Sequence, residues 1–253
     1  MFSISSLHKN MLIRFLIVCR YPDYFSATFV LHSFCAFFMN SGGFMVISFI
    51  SQKGGVGRST LARATAVELA RSGKKVHLAD LDSQQQTSAK WAERRDNAGI
   101  SPAVETGVYR RHDVALKAAC NYQCLIVDTR PFVDISSLDI ARQSNLVVIA
   151  TGTSLDDLEP SLLLGHELVH KGIPHNRLFY VVGKAPSQAE GRSAIQTITA
   201  WQFACADTFL TFKPGYSISL DAGLSVTETP WKTLSRRARS VIHEISARAA
   251  SRP

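Results

Sequence analysis

The segment at residues 53–60 has the residue types needed to hold phosphate groups. It reads KGGVGRST, whereas phosphate-binding loops commonly follow the pattern G-x-x-x-x-G-K-[ST], in which the lysine reaches the β and γ phosphates. Gln52 takes the place of the first glycine, and Arg58 takes the place of the lysine. Because a planar guanidinium cannot act as a lysine point charge, we expect nucleotide binding to survive better than hydrolysis. A glycine-rich turn without a ligand is the alternative.

Acidic residues follow two apolar, strand-like runs. Asp128 ends the run CLIVD, and Asp80 and Asp82 end the run LADLD. A carboxylate at a strand end beside a phosphate loop can hold the water shell of Mg²⁺, and the hydroxyl of Ser59 could bind the ion directly. Taken singly, each aspartate could equally be a helix cap or a turn residue.

From Met45 onward, β-rich runs alternate with helix-length segments. This alternation predicts an α/β fold, with a mostly parallel twisted sheet covered by helices on both faces and ligands at the carboxyl ends of the strands. The predicted strands are residues 46–50, 76–80, 124–128, 146–150 and 178–182, with 208–212 as a further candidate. The predicted helices are residues 59–72, 87–96, 112–119, 155–171 and 187–205, and a C-terminal helix from about Lys232.

Residues 1–44 differ in composition from the rest of the chain. They hold eight of the 14 phenylalanines, and their apolar runs at residues 11–18 and 25–39 are short for a membrane span. They also lack the small-residue cleavage site of a secretory signal. We interpret residues 1–44 as a dispensable or wrongly included leader and residues 45–253 as one domain; a membrane or targeting segment is the alternative for the leader.

The overall charge and the cysteines narrow the class of protein. A net charge of +8 makes a polyanionic partner such as nucleic acid plausible. Five cysteines without a C-x-x-C pair do not form a disulfide framework or a zinc ribbon, which fits a reducing cytosol.

The motifs together resemble those of the ParA and MinD superfamily of ATPases. KGGVGRST resembles its deviant Walker A motif, K-G-G-x-G-K-[ST]. DLDSQ resembles its D-x-D-P-Q motif with Ser83 in place of proline, and LIVDTRP resembles its Walker B region with Arg130 in place of a proline. ATGTSLDDLEP lies where the family has P-x-x-x-x-x-D, with Asp156 as the best match. These matches follow the family's order over most of residues 45–253.

The resemblance implies roles for individual residues. Lys53 matches the signature lysine that reaches across a nucleotide-sandwich dimer, and Asp82 matches the residue that positions the attacking water. Ser59 and Asp128 match the magnesium residues, Asp128 acting through water, and Asp80 is a further metal candidate. The implied catalytic residues are Lys53, Arg58 and Asp82, and the implied nucleotide-binding residues are Gly54, Gly55, Val56, Gly57, Arg58, Ser59 and Thr60.

The resemblance is strongest to short, plasmid-type ParA partition proteins. It implies ATP and Mg²⁺ as ligands, slow ATP hydrolysis because of Arg58, an ATP-dependent homodimer, and non-specific DNA binding. It further implies a centromere-binding, ParB-like partner and a cytoplasmic location on the nucleoid. Residues 247–253 have little to insert into lipid, unlike the amphipathic C-terminal helix of the septum-site branch, so we expect no stable membrane association. Relatives that position other cargo, and accessory ATPases of DNA transfer, are alternatives within the superfamily.

The predicted C-terminal helix carries the candidate DNA-binding residues. Its apolar residues share one face, and its basic residues lie largely elsewhere. The candidate DNA contacts are Lys232, Arg236, Arg237, Arg239 and Arg248. A solvated basic face without a ligand is the alternative.

One motif points to a different class of protein. HELVH at residues 166–170 satisfies H-E-x-x-H, in which two histidines one helical turn apart bind zinc and the glutamate activates water. Gly172 and His175 follow, but the longer metzincin pattern needs each of them one residue later. A zinc metallopeptidase is therefore an alternative that we consider weak, and two surface histidines explain the motif more simply.

Overall fold

The computed structural model describes residues 44–131 and 135–251, so the predicted leader up to residue 43 lies outside the described residues. The strands are β1 (Met45–Ile50), β2 (Val76–Asp80), β3 (Glu105–Val108), β4 (Cys124–Asp128), β5 (Leu146–Thr151) and β6 (Leu178–Val182). The α-helices are α1 (Arg58–Arg71), α2 (Thr87–Asn97), α3 (His112–Ala118), α4 (Ile135–Gln143), α5 (Leu155–His170), α6 (Gln188–Ala200), α7 (Pro214–Asp221) and α8 (Lys232–Ala250).

The strands form one sheet in which all neighbouring pairs are parallel. The order is β3-β2-β4-β1-β5-β6, with β1 between β4 and β5. Phe49 and Asp80 both lie opposite Asp128 in the register, so β1, β2 and β4 end at the same edge. The loop after β1 and the carboxylates of β2 and β4 therefore meet at this edge, as the sequence predicted.

Helices cover both faces of the sheet, which confirms the predicted α/β architecture. One core cluster joins the sheet to α1, α2 and α8, and includes Leu61, Trp91 and Val241. The second cluster joins it to α4, α5 and α6, and includes Leu162 and Ile198. Because both faces are buried, the central strands are mostly apolar, which is the pattern expected of a parallel sheet.

Several elements were predicted wrongly or not at all, and the helices α4 and α7 are among those that were not predicted. The edge strand β3 was not predicted, because its sequence ETGV is short, polar and half exposed. Residues 208–212 do not form a strand; Thr211 makes only an isolated bridge to Ala185. The helix predicted for residues 187–205 ends at Ala200, because Gln202 adopts a left-handed conformation with φ of 64° and turns the chain.

A buried ion pair fixes the loop that leads into α8. Arg95 of α2 is fully buried, and its two terminal nitrogens donate to the carboxylate of Glu228 at 2.7 and 2.8 Å. Arg71 and the backbone N–H of Ser225 donate to the same carboxylate, each at 2.7 Å. Burial acts to raise the pKa of Glu228, but these hydrogen bonds and the two arginine charges outweigh it, so the pKa is lowered overall.

We expect Glu228→Ala to lower the free energy of unfolding by about 3–5 kcal/mol, because it leaves the Arg95 charge buried without its partner. Glu93→Ala, at an exposed position of α2, should change the free energy of unfolding by less than about 0.5 kcal/mol. A depressed carboxyl pKa stabilises the fold above its unfolded value of 4.5 and loses that effect as the pH falls further. In urea unfolding between pH 3 and 7, the free energy of unfolding should thus fall more steeply with decreasing pH in the wild type than in Glu228→Gln.

In the part of the chain that the structure describes, no helix combines the length and apolar character needed to cross a membrane.

Candidate nucleotide-binding site

The loop between β1 and α1 presents a run of unused backbone donors. None of the N–H groups of residues 54–60 donates to another described residue, and the first N–H to do so is that of Leu61, to Gly57 O at 3.0 Å. Gly55 and Gly57 have φ of 82° and 97°, a conformation that glycine adopts without strain. These amides and the N-terminus of α1 together favour an anion.

The end of β6 supports the loop from behind. A Cβ atom at Gly183 would lie 2.0 Å from Val56 O, so only glycine allows the two backbones to approach this closely. The N–H of Gly183 donates to Thr151 O at 2.9 Å, which fixes it to the end of β5. The sequence analysis missed Gly183, although a glycine directly after a predicted strand can signal such an approach.

Arg58 points into the protein and is held at two points. Its Nε donates to Asp128 Oδ1 at 3.0 Å, and its Nη1 donates to Ser51 Oγ at 3.0 Å. The residue is only 8% exposed. The guanidinium that replaces the expected lysine is therefore paired with the carboxylate at the end of β4.

Asp128 collects three side-chain donors. Ser59 Oγ donates to Oδ1 at 3.1 Å, beside Arg58, and Ser88 Oγ donates to Oδ2 at 2.7 Å. The structure thus brings Ser59 and Asp128, the two residues matched to magnesium binding, into contact. Because the Ser59 hydroxyl uses its proton on Asp128, its oxygen lone pairs remain available to a cation, and the pair fits Mg²⁺ in this respect.

Asp80 and Asp82 are both engaged with the backbone that follows β2. Asp80 Oδ2 accepts from the N–H groups of Ser88 and Ala89 at 2.8 and 3.2 Å, so it caps α2 from a neighbouring strand. Burial, followed by the charge of Asp128, raises the pKa of Asp80. Asp82 Oδ1 accepts from the N–H groups of residues 84 and 85 at 3.2 and 3.0 Å. These contacts organise the segment 82–88 and leave Asp82 Oδ2 as a free acceptor among the described residues.

A second buried arginine, which the sequence analysis did not identify, supports this acidic group. Arg63 lies on α1, is 4% exposed, and donates from Nε to Ser88 Oγ at 3.1 Å. Burial lowers its pKa to about 10, while Asp128 and Asp80 act in the opposite direction. Arg63 therefore places a positive charge close to two buried aspartates, which stabilises them both.

Lys53 lies at the open side of the loop. Its side chain is 42% exposed, and its Nζ lies 3.7 Å from Asp157 Oδ1 at the start of α5. Of the two adjacent aspartates, the one beside the loop is Asp157; Asp156, which we matched to the family motif, is exposed. Successive helical residues point about 100° apart, so sequence alone could not decide which aspartate faces Lys53.

The predicted DNA-binding residues of α8 fall into two groups. Lys232, Arg236 and Arg239 are exposed and follow one another at spacings of four and three residues, so they form one stripe. Arg237 and Arg248 are half-buried, with their guanidinium carbons 5.5 and 5.3 Å from the ring centroids of two phenylalanines. The structure therefore does not place all five residues on one surface.

The HELVH motif lies on the outer part of α5. His166 packs against the rings of Trp201 and Phe203, with centroid distances of 5.4 and 4.9 Å. Glu167 and His170 are exposed. Among the described residues there is no group of three or more histidine, cysteine or acidic side chains placed to share a metal ion.

A parallel sheet whose central first strand leads through a glycine-rich loop into a helix is the architecture of a P-loop NTPase. The family model described as an AAA domain matches residues 44–110. A search of curated protein sequences found no match. The matches among solved structures are to MinD and ParA family ATPases, and they show that this chain has the fold of those proteins.

Three solved structures illustrate the likeness. MinD from Pyrococcus horikoshii OT3, complexed with Mg-ADP, has a TM-score of 0.62 and 13% identity, covering 79% of this chain and 95% of that chain. A ParA family ATPase from Chlorobium tepidum TLS has a TM-score of 0.60 and 17% identity, covering 80% and 98%. A proposed plasmid partition protein from Borrelia burgdorferi B31, bound to AMPPNP, has a TM-score of 0.57 and 18% identity, covering 80% and 99%. At these identities the matches establish the fold.

Proposed function

We propose that residues 45–253 form a ParA-like positioning ATPase that binds ATP with Mg²⁺, hydrolyses it slowly, dimerises on ATP and binds DNA without sequence preference. The observation that carries this proposal is the loop of unused amides at residues 54–60, adjoining the Ser59–Asp128 pair. Its position between β1 and α1 is that of the nucleotide loop in P-loop proteins. The MinD and plasmid partition structures with bound nucleotide support the choice of ligand.

Different groups of the site bind the nucleotide and act in its hydrolysis. The loop amides and the N-terminus of α1 hold the phosphates, and Ser59 with the carboxylate of Asp128 holds Mg²⁺, Asp128 acting through water. Bound there, the ion would neutralise charge on the β and γ phosphates. Asp82, whose Oδ1 is fixed by two amides, orients the attacking water through its other oxygen. Asp80 shapes the segment that carries Asp82.

Hydrolysis is slow in this proposal because Arg58 is committed elsewhere. Its two hydrogen bonds, to Asp128 and Ser51, hold the guanidinium against the carboxylate at the end of β4. A cation must be placed to within a fraction of an ångström to stabilise charge on a transferring phosphoryl group. Lys53 supplies the cation that crosses to the partner subunit of the dimer.

The proposed cellular role is segregation or positioning of plasmid or chromosomal DNA, with the protein cytoplasmic and associated with the nucleoid. A ParB-like, centromere-binding protein is the proposed partner that stimulates hydrolysis. The net charge of +8 and the exposed stripe of α8 support DNA as the surface on which the dimer assembles. Positioning of another cargo would use the same site and the same dimer.

Neutralising the exposed stripe tests the DNA-binding part of this proposal. The triple variant Lys232→Gln, Arg236→Gln, Arg239→Gln should bind duplexes of unrelated sequence at least about tenfold more weakly, with the slope of log K against log[salt] reduced by about 2–3. Fluorescence anisotropy with labelled duplexes, with and without ATP, gives both quantities.

The matched control removes the same charge elsewhere. Lys117→Gln, Arg142→Gln, Lys171→Gln changes three exposed residues outside α8: Lys117 lies on α3, Arg142 on α4, and Lys171 directly after α5. It should retain most of the affinity. If both triple variants bind alike, α8 is not the DNA surface; if the wild type binds no DNA in either nucleotide state, the DNA-binding part of the function is wrong.

A further inference from the structure

A cleft of about 370 Å³ lies at the β6 edge of the sheet, between α6 and α8. Its floor is the irregular segment at residues 207–209, part of a stretch that runs along β6 and is tied to it by scattered backbone hydrogen bonds of 2.8–3.1 Å. The cleft is separate from the nucleotide loop, since none of the loop residues lines it.

Three arginines from two helices line this cleft. Arg192 comes from α6, and Arg236 and Arg237 come from α8. Asp207 is the one carboxylate among the described lining residues. The neighbouring Glu244 is committed to two backbone N–H groups of the floor, at 2.6 and 3.1 Å. The cleft therefore carries more positive charge than its own residues neutralise.

The three guanidiniums differ in how firmly they are held. Arg237 lies 5.5 Å from the ring centroid of Phe209, and the amide of Gln188, oriented to accept, takes a hydrogen bond from its Nη2 at 2.7 Å. Arg192 and Arg236 are exposed, and among the described residues their guanidiniums have neither a carboxylate nor a hydrogen-bond partner. Arg237 is thus already positioned to bind an anion, whereas ordering the side chains of Arg192 and Arg236 would offset part of the binding free energy.

Phosphate is the anion that suits these donors. Guanidinium groups bind phosphate through paired N–H donors, so that several arginines can share its oxygens. The hydroxyls of Thr208, Thr233 and Ser240 line the same cleft and can donate to the remaining oxygens. A carboxylate, with two oxygens in one plane, would leave more of these donors unused.

The cleft continues into the exposed stripe of α8. Arg236 and Ser240 also line a neighbouring groove, which contains Lys232 and Arg239. We propose that the cleft seats a phosphate group, and that in a DNA complex it carries the backbone from α8 across the sheet edge to Arg192 on α6. The DNA part rests on the function proposed above; the phosphate seat stands on the cleft alone.

The test uses Arg192, because it is exposed and lies on a different helix from the stripe. Arg192→Gln should weaken binding to duplexes of unrelated sequence several-fold and reduce the slope of log K against log[salt] by about 1. Arg192→Lys keeps the charge and should keep the slope. Lys117→Gln, an exposed charge on α3, should match the wild type.

A second measurement separates DNA from free phosphate as the source of the group. Inorganic phosphate is titrated into the wild type and Arg192→Gln with the nucleotide site saturated by Mg-ADP, and thermal unfolding is followed. If Arg192→Gln reduces the slope of log K against log[salt] for DNA binding, the phosphate seat is supported with DNA as its ligand. If the slope is unchanged but inorganic phosphate stabilises only the wild type against thermal unfolding, the phosphate seat is supported with free phosphate as its ligand. If neither changes, the proposal is overturned. If the wild type binds no DNA but binds phosphate in a way that depends on Arg192, the proposed DNA binding is wrong and the phosphate seat is still supported.

Discussion

Lys53→Ala should abolish both ATP-dependent dimerisation and ATP turnover while leaving ATP binding nearly unchanged. Lys53 is 42% exposed on the open side of the loop, and its only ion pair among the described residues is a long one, at 3.7 Å, to the partly exposed Asp157. A surface pair of this kind contributes little stability, so the lysine can leave it at small cost. Its charge is therefore free to meet the phosphates of a partner subunit.

The measurements are light scattering of the protein with ATP and Mg²⁺, phosphate release, and nucleotide affinity. The control is Lys74→Ala, which should behave as the wild type. Lys74 is an exposed lysine before the start of β2, at the edge of the sheet opposite the nucleotide loop. The affinity of Lys53→Ala for ATP should stay within about threefold of the wild type, because the loop amides supply most ground-state contacts. A Lys53→Ala protein that still dimerises on ATP would remove the lysine from the interface.

The sheet could be predicted because its strands are buried on both faces. Residues 124–127 and 146–150 are short apolar runs between helix-length segments, and their length and β-branched residues favour central strands of a parallel sheet. The strand β3 has no such signature. It is an edge strand of four residues, with Glu105 and Val108 exposed, and it pairs only with β2. Its position depends on the neighbouring chain, which local sequence does not encode.

The nucleotide loop and its partner carboxylate could be predicted for the same kind of reason. A glycine loop after one strand and an aspartate after another must meet when both strands are parallel neighbours, as β1 and β4 are. Contacts made by side chains from helices could not be predicted. Arg63 reaches Ser88, and Ser88 reaches Asp128, because α1 and α2 pack side by side and both lie against β2. The direction of Arg58, towards Asp128, likewise depends on the tertiary structure.

Arg58→Lys should raise the rate of ATP hydrolysis by roughly tenfold, which corresponds to about 1.4 kcal/mol in the barrier, with ATP affinity changed by less than about threefold. The guanidinium of Arg58 donates to Asp128 and Ser51 at 3.0 Å each, and this two-point contact holds it against the carboxylate. A lysine has one flexible ammonium group, so it cannot hold both partners in the same way and can turn towards the β and γ phosphates. Asp128 would then be less neutralised and better able to hold the water shell of Mg²⁺.

Arg58→Met separates the effect of charge from the effect of length. It removes the ion pair with Asp128 without providing a cation for the phosphates, so it should show no gain in rate. The variants are compared by steady-state phosphate release with and without DNA, and by nucleotide titration in the absence of turnover. Thermal unfolding of each variant shows whether the loss of a buried hydrogen-bonded arginine has disturbed the fold. A gain shared by Arg58→Lys and Arg58→Met would mean that release of Asp128 alone is enough. If Arg58→Lys hydrolyses ATP no faster than the wild type, the arginine is itself an adapted catalytic or sensing group. Its ion pair with Asp128 would then be broken or used during the reaction.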